Sequence, residues 1–148
     1  MPSMIKRLFS APAYRVALLL PLLLASSGVV ARAELPPHVY REMQEKAPES
    51  LVIKVRSVRT TETDEPSLTR VSVTVEALVQ RVNRSRSRLK RGRLIRITYE
   101  QERHKEPMVG PSEVPLVMKG QVYPAYLKKS GARTYAPAAG GYTFETVN

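Results

Sequence analysis

The sequence predicts a mainly β domain, a five-stranded antiparallel barrel with one short helix before it. Three observations carry that expectation. Several segments rich in Val, Ile and Thr alternate apolar and polar residues with period two. Breaks rich in Gly, Pro and acids separate them at short intervals. The alternation also slips phase once, between Val79 and Val82, as a β-bulge that bends a strand into a barrel requires. With 148 residues and 43% hydrophobic content the chain has material for one core and not for two.

Residues 1–33 read as an address. They hold Lys6, Arg7, Arg15 and Arg32 and no acid. A leucine-rich block runs over residues 16–25, broken by Pro21, and the stretch ends on Ala31-Arg32-Ala33. A basic start, a short apolar core and an A-x-A end make a secretory signal peptide cut after Ala33. The rival is a retained anchor. The uncharged run over 16–31 falls short of the ~20 residues that a spanning helix needs. The product is then an exported domain of residues 34–148, periplasmic or secreted, with no stable membrane span after cleavage.

The elements follow in order. Pro36-Pro37 opens a helix whose face carries Val39, Met43 and Ala47 with Tyr40 beside them, and Pro48 ends it. Leu51, Ile53 and Val55 mark a first strand over 50–59, and residues 60–67 form a polar turn. Val71, Val73, Val75, Ala77 and Val79 share one face of a second strand. Lys90-Arg91-Gly92-Arg93 turns into a third strand with Ile95, Ile97 and Tyr99 inward. Residues 101–120, with three prolines and two glycines, are a long ordered loop with room for one helical turn. Residues 121–129 form a fourth strand with Tyr123, Ala125 and Leu127 inward, and Pro124 marks an edge or a bulge. A last strand passes through Tyr142 and Phe144.

Composition excludes much chemistry. There is no cysteine, so disulfides, thiolate metal sites, thiol catalysis and a lipidated cysteine are ruled out. The two histidines, His38 and His104, do not make a metal site, and no cofactor or catalytic residue is assigned. A pairing of His104 with Glu102 or Glu106 competes with a solvated charged loop. No G-x-S-x-G elbow and no glycine-rich phosphate loop occurs. Glu62, Asp64 and Glu65 lack calcium-loop spacing and read as an acidic turn.

Charge is the most informative feature. The net charge is +11. Arg81, Arg84, Arg86, Arg88, Lys90, Arg91, Arg93 and Arg96 fall within 16 residues without an acid. Outside them, residues 34–148 hold 12 bases and 13 acids, so the positive excess lies in this one hairpin. Localised charge attracts anions, and arginine forks fit phosphate and carboxylate oxygens. The competing view is a solvated hairpin tip that aids solubility. Tyr126 and Tyr135 are candidates for a partner groove, against a plain core role for the C-terminal tyrosines. Nucleic acid is disfavoured, because stacking aromatics do not interleave with these bases.

Four stretches carry a resemblance: SLVIKVRSV (50–58), VTVEALVQRV (73–82), LKRGRLIRITY (89–99) and GQVYPAYL (120–127). In this order they resemble the netrin-like domain, the OB-type barrel of the tissue inhibitors of metalloproteinases. The resemblance covers about residues 38–147 and implies a barrel that binds and does not catalyse. The inhibitors chelate a protease zinc through an N-terminal cysteine. This chain has none, so that mechanism does not carry over.

The expectation is therefore an exported non-enzymatic binding module of the bacterial envelope. It contacts an acidic protein, a glycan or anionic lipid headgroups through the 81–96 hairpin. The alternatives are a structural subunit of an envelope assembly and a protease-inhibitor-like domain without the chelating cysteine.

Overall fold

The computed structural model describes residues 34–107 and 109–147. The expected leader and its cleavage point lie outside them. Helix α1 (Pro37–Lys46) is followed by β1 (Glu49–Asp64), β2 (Leu68–Ser85), β3 (Leu94–His104), β4 (Val122–Lys129) and β5 (Thr134–Pro137), and a 3-10 turn spans Gly140–Tyr142. The described residues are mainly β, with five strands in one sheet and a single helix among them. Each strand bonds two others in the order β1-β2-β3-β5-β4, and β4 returns to β1, so the sheet closes on itself.

Not every pair is antiparallel. β3 and β5 run parallel, with Arg96 opposite Thr134 and Ile97 opposite Tyr135. The cause is topological. Strands that alternate in direction around a ring of five must meet one neighbour of their own sense. The expectation of an all-antiparallel sheet is corrected to a mixed one.

The alternating residues form the interior. Leu51, Ile53, Val55, Val71, Val73, Val75, Ala77, Val79, Ile95, Ile97, Ala125 and Leu127 are all buried. Phe144 enters among them, its ring centre 6.1 Å from Tyr99 and 6.2 Å from Tyr123. The phase slip is a bulge, since Val52 faces Arg81 while Ile53 faces Val79 and Gln80 has no opposite residue.

Several boundaries differ from the reading of the sequence. β1 runs on to Asp64, because the 60–64 stretch pairs with residues 69–73 of β2 although neither of its faces is covered. A paired but solvated strand has no apolar period to detect. The last strand is β5, and Tyr142 lies in the 3-10 turn that follows it, where Gly140 takes φ +51°. The buried helix face is Tyr40, Gln44 and Ala47, while Met43 stays exposed. Gln44 replaces apolar packing with an amide clamp. Its Nε2 donates to Tyr142 O (2.9 Å) and Glu145 O (2.6 Å), and its Oε1 accepts from Val147 N.

The 105–121 connection is a strap with no helical turn among its described residues. Tyr99 donates to Pro115 O, Gln101 to Val114 O, and Val117 joins the core. Gly141 packs so closely beneath it that a Cβ there would lie 2.6 Å from Ser112 Cβ and 2.9 Å from Ser112 O. Gly141→Ala must displace the strap, and we expect a loss of about 1–3 kcal/mol in denaturant unfolding, the usual cost of overpacking.

Burial pushes the Tyr99 hydroxyl up to about 12, against a smaller opposing effect of the Val117 backbone. Below pH 10 the hydroxyl is protonated in the folded and unfolded chains alike, so its contribution to stability is fully present. Between the ordinary value of 10.0 and about 12 only the unfolded chain ionises, and that contribution is lost. Tyr99→Phe is expected to flatten the fall in unfolding free energy across this alkaline window. Denaturant titrations at stepped pH measure it.

Candidate functional site: a cationic cleft at one corner of the sheet

The basic segment is not a simple hairpin. β2 pairs with β3 only as far as Leu78, which faces Leu94. Beyond Val79 it continues to Ser85 against β1 alone. The chain then turns and returns to Gly92, whose N–H donates to Val79 O (2.8 Å), while Val79 N donates to Arg93 O (2.9 Å). Residues 80–91 are thus an excursion from the ladder, and it carries most of the cations.

The turn of this excursion is tied down. Arg86 N donates to Pro48 O, Leu89 N to Ser85 Oγ, and Ser87 N to Glu49 Oε1 (2.9 Å). These bonds hold Arg88 at φ +59°, left-handed backbone that a residue with a Cβ rarely adopts. Glu49 is 1% exposed and its second oxygen, Oε2, has no hydrogen-bond partner among the described residues. A buried carboxylate oxygen without a partner is costly unless opposite charge stands near. In the sequence Arg86 and Arg88 flank Ser87, the residue that Glu49 holds.

The eight predicted bases are all exposed, but they divide into two kinds. Arg84 is structural. Its guanidinium donates to Gln44 O (2.8 Å) and Ala47 O (3.0 Å), closing the carbonyl end of α1. Arg96 pairs with Glu76 at 3.6 Å. Arg81 donates to Asn83. Among the described residues no carboxylate lies within 4.0 Å of Arg86, Arg88, Lys90, Arg91 or Arg93, the range of the ion pairs formed elsewhere in the fold.

The fold adds bases that a linear window misses. The parallel β3–β5 pair and the backbone bond from Arg96 N to Arg133 O set the turn before β5 beside the start of β3. Arg88, Arg93, Lys129 and Arg133 line one cleft of about 310 Å³ with Ser87 and Tyr135, and among the described residues no acid lines it. Ser87 Oγ lies 3.0 Å from Tyr135 OH. Convergent cations around hydroxyls match the oxygens of a phosphate, sulfate or carboxylate.

The predicted tyrosine groove does not form. Tyr135 is 2% exposed and points inward, while Tyr126 is half-buried on the outward parity of β4. The two rings lie on opposite faces of the sheet, and Tyr135 offers the cleft its hydroxyl end only.

The other candidates are absorbed by ion pairs. Glu62 binds Arg103 (3.0 Å), Asp64 binds Lys105 (2.9 Å) and Glu65 faces Arg70 (3.5 Å), so each acid of the predicted turn has its own base. The Lys105 ammonium and the Thr69 hydroxyl hold the Asp64 carboxyl below its usual range. His104 Nε2 stands 3.8 Å from Glu102, which also faces Arg70 at 3.8 Å. His38 is exposed at the start of α1. Among the described residues no three His, Asp or Glu side chains gather as a metal site, and no helix is long and apolar enough to cross a membrane.

Comparison with protein-family models, with curated proteins and with solved structures finds no match for this chain. The cleft is therefore read from its own chemistry.

Proposed function

We propose that the chain is an exported, non-enzymatic binding module that takes an anionic partner at the cationic corner of an OB-type, netrin-like barrel. The observation that carries this reading is the cleft between Arg88, Arg93, Lys129 and Arg133, which no carboxylate of the described residues lines. Structural arginines are paired, as Arg84 and Arg96 are. Cations that converge without partners, on a turn held in left-handed backbone, are placed at a cost that a ligand recovers.

The barrel assignment rests on the closed strand order and the bulged β2, and the exported location on the basic, apolar, A-x-A leader and the absence of cysteine. The acidic protein, glycan and lipid headgroup all remain within the anionic class. A second reading, a subunit of an envelope assembly, is favoured by β4 at Pro124, which has β1 on one flank and no strand on the other. A stoichiometric partner that is lost when Pro124 and Val122 are changed would support it.

The test is binding of the full chain to inorganic polyphosphate, titrated against salt. Affinity is expected to fall steadily as ionic strength rises. Binding that is absent, or that salt leaves unchanged, removes the proposal.

A further inference from the structure

We infer that the outer face around Leu94 docks on an anionic lipid bilayer. This rests on the anion-binding reading above and commits it to one partner. Directly opposed residues of neighbouring strands present side chains on the same face. Val122 of β4 faces Lys54 of β1, Lys54 faces Leu78 of β2, and Leu78 faces Leu94 of β3. A single row thus crosses four strands on the outside of the sheet. Its ends are wet apolar side chains, Leu94 at 62% and Val122 at 49% exposure. In the next row Pro124 faces Val52.

The apolar row runs into the cationic excursion. Val52, Leu78, Val82 and Leu89 line one open groove together with Arg81, Lys90 and Arg91, and again no acid among the described residues lines it. Apolar side chains rimmed by bases match a surface that is anionic outside and hydrocarbon beneath, the combination that holds peripheral proteins on bilayers. Lys54 fits the same geometry. Its aliphatic stem lies in the apolar row and its ammonium reaches toward headgroups. An acidic protein patch would meet the cations and leave Leu94 and Val122 without a counterpart.

The absence of cysteine makes the test direct. Leu94→Cys in the full chain carries a single environment-sensitive fluorophore, and Thr61→Cys, exposed on the strand arm, carries the control label. Vesicles of phosphatidylcholine mixed with phosphatidylglycerol are compared with phosphatidylcholine alone. A blue shift at position 94, on anionic vesicles only, is the expected result, with position 61 unchanged. Removing two bases with K90Q and R91Q should raise the lipid concentration at half-saturation roughly thirtyfold, about fivefold for each base at an anionic surface. The paired labels separate this face from any attachment through residues 1–33. No shift at position 94 while polyphosphate still binds would overturn bilayer docking, leave the anion-binding module standing, and make a soluble acidic partner the occupant. Loss of both signals would remove both proposals. Equal shifts at positions 61 and 94 would show that this face does not do the docking.

Discussion

Phe144→Ala is expected to lower the thermal unfolding midpoint by about 12–20 °C. The ring is buried and meets Tyr99 and Tyr123 within the interior. Truncating a buried phenylalanine costs about 3–5 kcal/mol in lost transfer free energy and residual cavity. In a domain of this size each kcal/mol moves the midpoint by roughly 4 °C. Repair by relaxation is limited. Next to Phe144, Thr143 is fully buried, accepts from Tyr126 N and donates its own hydroxyl to Gly140 O. The segment is pinned to β4 and cannot collapse into the void. Phe144→Leu keeps most of the volume and should lose less than half as much. Calorimetry or circular dichroism measures both. A drop below about 4 °C for the alanine variant, the equivalent of one kcal/mol, would mean that Phe144 is not a core residue.

What could be read in advance follows from what each interaction leaves in a linear sequence. The interior strands were legible because burial on one face imposes period two, and Val71 to Val79 keep it without a break. The bulge near Gln80 was legible because one extra residue inverts that parity. The solvated end of β1 was not, since Thr60, Thr61 and Thr63 are held by backbone pairing, with Glu62 and Asp64 in side-chain ion pairs. Gln44 was missed for a related reason. Its burial comes from hydrogen bonds to residues about a hundred positions away, which no periodicity encodes. At the site, the run from Arg81 to Arg96 was visible as composition. Its division into fixed and unpaired cations was not, because Arg84 is defined by the carbonyls of α1 and Arg93 by a cleft shared with Lys129 and Arg133. The burial of Glu49 beneath the turn leaves no mark in the sequence, because it comes from its bond to Ser87, 38 residues on.

That division sets the largest functional effect. Reversing Arg93 and Arg133 together, R93E with R133E, should weaken polyphosphate binding roughly a hundredfold at low salt. A charge-assisted hydrogen bond is worth about 1.5 kcal/mol or more, which is about tenfold in affinity for each residue lost. Both side chains line the cleft and neither makes an ion pair among the described residues, so their reversal leaves the fold without a broken contact. Surface changes of that kind stay within about 0.5 kcal/mol of the parent in stability. The necessary control is charge itself. Arg59→Glu with Lys119→Glu changes the net charge by the same amount at exposed positions outside the cleft. If binding depends on the local site, the control pair loses less than threefold, the scale of screened charges beyond a Debye length of about 10 Å. Equal losses from the two pairs would mean that the anion responds to the net charge of the whole molecule, and the cleft would have no claim as a site.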